Sequence, residues 1–270
     1  MSRVLPPVVD AAWLGDHPEA VLADVRWYAD GRSGLAAYEA AHLPGAVFVD
    51  LDRWLAGPPA PESGRHPLPD PAVFAAGMAQ AGIAEDDLVV AYDDDSGAVA
   101  ARLVWLLRTT GHPAALLDGG ITAWRGHRAT GSQTRPQAAF APCPWPAELL
   151  AGMDDLAGRP LLDARPAERY RGDLEPLDAR PGHVPGAVSL PCRDNTDGRG
   201  LLLPLPELRR RLVDAGVGPG WVACCGSGVT ACHTLLLAEH LGLPAGRLYP
   251  GSWSQWAATD RPAAVGPRPD

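Results

Sequence analysis

The residue best suited to chemistry is Cys225, which opens the run Cys225-Gly226-Ser227-Gly228-Val229-Thr230. Ahead of it, Trp221-Val222-Ala223-Cys224 is an apolar run of strand type. Behind it, residues 231–241 (ACHTLLLAEHL) carry the three- and four-residue apolar spacing of a helix. A loop with two glycines between a strand end and a helix start lets backbone N–H groups turn inward around the sulfur. The helix N-terminus adds partial positive charge. An anion is favoured there, either a thiolate or a terminal sulfur bonded to it, so Cys225 is the expected nucleophile near neutral pH. A free cysteine ordinarily serves as a small apolar residue in a core, and that is the reading for Cys224, Cys232, Cys143 and Cys192.

Composition removes several other chemistries. All 23 basic residues are Arg, so neither a Schiff-base lysine nor a P-loop lysine exists. The net charge is −9 and the longest basic cluster is Arg209-Arg210-Arg211, which leaves no strip for a nucleic-acid backbone. No apolar run approaches the roughly 18 residues that span a bilayer, and Met1-Ser2-Arg3-Val4-Leu5-Pro6 lacks the apolar stretch of a secretion signal. Five cysteines make an odd count, so a reducing cytoplasm is expected rather than a disulfide framework. Cys224, Cys225, Cys232 and His233 lack the paired spacing of zinc ligands, and no metal or other cofactor is called for. The remaining histidines, His66 among them, show no ligand spacing.

The elements that must position the loop occur twice. Leu22-Ala23-Asp24-Val25-Arg26 matches Leu162-Asp163-Ala164-Arg165, and His42-Leu43-Pro44-Gly45-Ala46-Val47 matches His183-Val184-Pro185-Gly186-Ala187-Val188. Further on, Gln80-Ala81-Gly82-Ile83 matches Asp214-Ala215-Gly216-Val217, Leu88–Tyr92 matches the strand before Cys225, and Gly119-Gly120-Ile121 matches Gly251-Ser252-Trp253. Order and spacing are kept, which means two tandem copies of one unit. Asp93 stands in copy one where Cys225 stands in copy two; a carboxylate cannot act as a sulfur nucleophile, so the chemistry belongs to copy two. Strand-type runs (residues 21–25, 88–92, 114–117; 160–163, 221–224, 246–249) alternate with helix-type stretches such as 99–110 and 230–241, the pattern of an α/β fold with a parallel sheet. The expected organisation is a first domain over residues 1–130, a Pro-rich surface linker over 131–146, and a catalytic domain over 147–270.

The Cys225–Thr230 loop, the downstream Gly251-Ser252-Trp253-Ser254-Gln255-Trp256 and the two His-x-Pro-Gly-Ala motifs together resemble the two-domain rhodanese family of sulfurtransferases. The resemblance covers nearly the whole chain. It implies two tandem rhodanese-like α/β domains, each a mainly parallel sheet flanked by helices, the first inactive and the second carrying a sulfane sulfur as a Cys225 persulfide. Residues Gly226, Ser227, Gly228, Val229 and Thr230 would stabilise that persulfide. Members that use thiosulfate have basic residues after the cysteine, whereas Gly226 and Ser227 are neutral, so the likeness is to the 3-mercaptopyruvate type. Arg169 in Glu168-Arg169-Tyr170 matches the family's donor-binding arginine. The second arginine of that type follows a Glu-Pro pair, but Glu175-Pro176 is followed here by Leu177; counting back from His183 puts Arg180 in that role instead. Ser227, His42 and Asp30 match a serine, histidine and aspartate that assist in some members, and Trp253 would wall the mouth of the site. The implied partners are a small-molecule donor and a cyanide, thiol or thioredoxin-like acceptor, with no nucleic acid or membrane, and the implied state is a monomer. A phosphatase would need an arginine where Ala231 ends the loop. Thiosulfate:cyanide sulfurtransfer and a non-catalytic rhodanese-like scaffold remain the alternatives.

Overall fold

The apolar runs become short strands that pair only in parallel. The computed structural model describes residues 5–269; the start of the first expected domain, residues 1–4, and Asp270 lie outside the described residues, and so does most of the segment read as lacking a signal. One sheet holds β1 (Val8–Val9), β2 (Val21–Asp24), β3 (Val47–Phe48), β4 (Val89–Tyr92) and β5 (Ala114–Leu117) in the order β1-β5-β4-β2-β3. The other holds β6 (Leu161–Asp163), β7 (Ala187–Ser189), β8 (Val222–Cys224) and β9 (Arg247–Leu248) in the order β7-β6-β8-β9. Every residue of β4, β6 and β8 is buried, as parallel strands covered on both faces require.

Helices alternate with these strands: α1 (Ala11–Asp16), α2 (Gly34–Ala40), α3 (Pro71–Gln80), α4 (Ala101–Thr109) and α5 (Gly120–Ala123) in the first sheet's half, then α6 (Ala167–Arg171), α7 (Leu205–Asp214), α8 (Ala231–His240) and α9 (Ser252–Ala257). The second half keeps the register of the first without its outer strand. In place of β1 there is a single parallel bridge between Leu150 and Leu248, with the Ala151 N–H donating to the Leu248 carbonyl at 2.8 Å.

The chain forms two compact units. Unit 1 comprises Met1–Gly57, Pro69–Trp145 and Thr196–Leu202; unit 2 comprises Pro58–Leu68, Pro146–Asn195 and Leu203–Asp270. The two short segments that join the other unit occupy the same place in the repeat, after β3 and after β7. The Pro-rich stretch expected as a linker is a mostly exposed strap on unit 1. Its Ala138 N–H reaches the Ala79 carbonyl at 3.0 Å, and Trp145 Nε1 donates to the Pro69 carbonyl at 2.8 Å.

The repeated motifs have repeated jobs. Arg26 folds back on Asp24 at 2.7 Å and caps the Ala41 carbonyl, and Arg165 does the same with Asp163 at 2.6 Å and the Gly182 carbonyl. Such charges are tolerated in a core because each is paired and hydrogen-bonded. His42 stacks on Tyr38 with Nδ1 on the Tyr38 carbonyl at 2.9 Å, and His183 stacks on Tyr170 with Nδ1 on the Tyr170 carbonyl at 2.8 Å.

Candidate active site

In unit 2, β8 ends at Cys224 and α8 begins at Ala231, so the loop from Cys225 to Thr230 lies where α8 leaves four N–H groups without helical partners. Cys225 is 1% exposed, and the Gly228 N–H donates to its Sγ at 3.1 Å. Gly228 has a φ of +76°, and a Cβ there would stand 2.5 Å from the Pro250 carbonyl oxygen, so this donor depends on glycine. The Cys225 backbone is clamped as well. Its N–H donates to Ser252 Oγ at 3.1 Å, and its carbonyl accepts from the Trp253 N–H at 3.0 Å. Ser252 itself sits at φ +52°, a left-handed conformation that costs a non-glycine residue energy and that places its hydroxyl between Cys225 and the Tyr249 carbonyl. Burial pushes the neighbouring Cys224 thiol well above its ordinary value, which suits it to the core and not to nucleophilic attack.

Two guanidinium groups lie over the loop. A Cβ built on Gly226 would be 3.2 Å from Arg65 Nη2 and 3.3 Å from Arg169 Nη1. Arg169 Nη2 bonds Glu175 at 2.6 Å and Asp178 at 2.9 Å, and Arg65 Nη1 bonds the other oxygen of Asp178 at 2.5 Å. Burial raises the Asp178 carboxyl, with Glu175 adding to the shift while Arg65 and Arg169 oppose it. Beside this cluster a cleft of about 340 Å³ is lined by Pro59, Pro61, Arg65, Leu177, Asp178 and Ser254.

The expected residues divide. Cys225, its loop and Arg169 come together. Ser227 is hydrogen-bonded to a histidine, with Oγ 2.8 Å from Nδ1, but that histidine is His66 of the Pro58–Leu68 segment and not His42. His42 is fully buried in unit 1 and makes the bonds that His183 makes in unit 2, so the motif histidine serves the turn in both copies. Asp30 is an exposed residue of unit 1 paired with Arg32 at 2.9 Å. Arg180 turns away from the loop: its Nη2 caps the carbonyls of Trp256 and Arg261 at 3.3 and 2.5 Å, and Arg65 is the second arginine at Gly226. Trp253 is 1% exposed in the core beneath Arg165, so its contribution is the backbone N–H on Cys225 and not a wall at a mouth. Arg65 and His66 were missed although their segment has a counterpart at the same place in the other copy, where Gly198-Arg199 stands against Gly64-Arg65; that match and the polar Ser63-Gly64-Arg65-His66 after a Pro-rich run were the available clues.

Unit 1 displays what the loop before the helix does for an anion. Asp93 replaces the cysteine and is 1% exposed. Its Oδ1 accepts from the N–H groups of Asp95 and Gly97, and its Oδ2 from those of Val99 and Ala100, all at 2.7 to 2.8 Å. Burial raises its carboxyl to about 6 against the pull of those donors.

The rhodanese-like domain family model matches residues 10–127 and again residues 146–259. A Pseudomonas aeruginosa protein provisionally named 3-mercaptopyruvate sulfurtransferase is 40% identical over 269 residues, covering 93% of this chain and 94% of its own. SseB of Mycobacterium tuberculosis, provisionally named a thiosulfate sulfurtransferase, is 40% identical over 254 residues, covering 89% and 88%. The solved structure of 3-mercaptopyruvate sulfurtransferase from Leishmania major matches with a TM-score of 0.84 at 30% identity, over 95% of this chain and 75% of that one. The cysteine loop with the Gly228 N–H on its sulfur, the doubled parallel sheet and these likenesses agree, and the chain belongs to the rhodanese family, with its domain present twice.

Proposed function

We propose that the protein transfers a sulfane sulfur from 3-mercaptopyruvate to a thiophilic acceptor through a persulfide on Cys225. The observation that carries this reading is the buried Cys225 sulfur, already held by the Gly228 N–H at the start of α8. The Cys225 thiolate attacks the donor's sulfur, the donor's C–S bond breaks, and its electron pair leaves on carbon as pyruvate enolate. The proton of the donor thiol passes to that carbon, giving pyruvate and leaving the persulfide anion on Cys225. Ser227, hydrogen-bonded to His66, is the relay for the proton. The loop N–H groups from Gly226 to Thr230 hold the outer sulfur, as the loop in unit 1 holds the Asp93 oxygens. Cyanide then attacks the outer sulfur and leaves as thiocyanate, or a small thiol or thioredoxin-like thiolate takes the sulfur as its own persulfide; either way the Cys225 thiolate is restored.

Arg169 and Arg65 bind the donor's carboxylate. Arg65 also favours a second reading, thiosulfate as donor with sulfite expelled, because it brings a cation to Gly226 that the loop's own sequence lacks. Five free cysteines support a reducing cytoplasm, and among the described residues no helix is long and apolar enough to cross a membrane. A small-molecule donor and acceptor acting on a monomer is the simplest arrangement. The test is intact mass of the reduced protein after exposure to each donor, with Cys225→Ser alongside. One added sulfur atom in the wild type and none in the variant is expected. No addition from either donor would move the assignment to a non-catalytic scaffold.

A further inference from the structure

The arginines over the Cys225 loop are already occupied by the chain's own acids. Asp178 spans them, one oxygen on Arg65 Nη1 at 2.5 Å and the other on Arg169 Nη2 at 2.9 Å, and Glu175 takes the same Arg169 nitrogen at 2.6 Å. The side chains of both acids are 3% exposed. Two cations and two carboxylates leave this subsite with no net charge. Asp178 nevertheless belongs to a stretch without helix or strand. The side chain of Glu175 holds that stretch from within, accepting from the N–H groups of Leu177 and Asp178 at 3.1 and 3.2 Å. The Nε groups of Arg65 and Arg169 are buried and have no acceptor among the described residues, so donor capacity is left for a ligand that reaches the cleft.

We propose that Asp178 is a specificity-determining residue: its carboxylate holds the two arginines and cancels charge at the donor subsite, so the site favours a monoanionic sulfur donor over a dianionic one. The inference rests on the sulfurtransferase reading above and adds the feature that separates its two donors. 3-Mercaptopyruvate carries one charge, on its carboxylate, when its thiol is protonated, whereas thiosulfate carries two. A carboxylate fixed beside the binding position repels each unit of donor charge, so it penalises the dianion twice over. For a partly hydrated charge pair the effect is about threefold in affinity per unit charge, an order-of-magnitude value. Removing the charge is therefore expected to lower the KM for 3-mercaptopyruvate about threefold and that for thiosulfate about ninefold on the same scale.

The experiment measures kcat and KM with both donors for the wild type, Asp178→Asn, Asp178→Ser, Asp178→Glu and a control, Asp173→Asn, which removes an exposed charge paired with Arg171. The ratio of kcat/KM for thiosulfate to that for 3-mercaptopyruvate does not depend on how much of a variant is folded. It is expected to rise about threefold in the Asn and Ser variants through KM, with kcat nearly constant, and to stay at the wild-type value in the Glu and Asp173→Asn variants. An unchanged or lower ratio in both charge-removing variants, in proteins that still acquire sulfur on Cys225, overturns the proposal while leaving the function standing. A wild type that acquires no sulfur from either donor overturns the function and this proposal with it.

Discussion

Asp93→Ala measures the strength of the backbone N–H cradle in the copy that lacks the cysteine. The carboxyl group accepts four backbone N–H groups in a site 1% exposed, and alanine removes every acceptor at once. An orphaned buried donor costs about 1–3 kcal/mol, but neighbouring losses are not additive and water can enter, so about 3–5 kcal/mol is expected at pH 5. The cost depends on pH with a definite sign. The folded carboxyl titrates near 6, above its ordinary value of 3.8, so the folded state favours the neutral acid. That contribution is fully present below pH 3.8 and is lost as pH rises through 6. Between pH 5 and pH 8 the wild type is expected to lose about 1.4 kcal/mol that the variant cannot lose, and the gap between them narrows accordingly. Urea unfolding at both pH values, followed by the fluorescence of the tryptophans in unit 1, reads the difference. A gap below 1 kcal/mol at pH 5, or one that widens toward pH 8, would refute the reasoning.

Three further outcomes are expected. His66→Ala removes the partner of Ser227 and lowers the rate of persulfide formation from 3-mercaptopyruvate on the order of 10²-fold in single-turnover stopped flow; less than a twofold change would remove His66 from the proton path. Gly228→Ala drives a Cβ toward the Pro250 carbonyl at a left-handed φ, so the N–H on Cys225 moves and sulfur loading by mass is largely lost, and full loading would show that this donor is dispensable. His42→Leu and His183→Leu each lose a ring stack and a buried hydrogen bond, costing about 1–3 kcal/mol in thermal unfolding with turnover per folded molecule unchanged; a selective loss of turnover in His42→Leu would return that residue to the site.

The sequence made the doubled parallel sheet legible because a buried parallel strand needs a continuous apolar run, and residues 88–92 and 221–224 are such runs with the same motifs around them. Cys225 was legible for a related reason: strand, glycine loop and helix are local in sequence, so their geometry follows from neighbours. His42 misled because a histidine repeated in both copies suggests chemistry, whereas its repetition reflects a turn that both copies must build. Arg65 and His66 reach the loop from 160 positions and more away, on a segment without periodicity, and nothing local to the loop encodes such a contact. Arg180 failed on register: the three residues after Pro176 bring Asp178 to the arginines, and Arg180 is left capping carbonyls.

The two short segments that join the opposite unit also bear on how the chain is made. Residues up to Trp145 leave the ribosome well before Thr196–Leu202 exists, and that later segment supplies the Leu202 N–H that bonds Asp118 at 2.8 Å. Pro58–Leu68, made early, must in turn wait for the Cys225 loop before His66 has its serine. Unit 1 therefore cannot complete its fold before residues 196–202 have been made. A gene cut between the repeats would yield a carboxyl-terminal product that keeps Cys225 and Arg169 but lacks Arg65 and His66, the arginine beside Gly226 and the histidine bonded to Ser227.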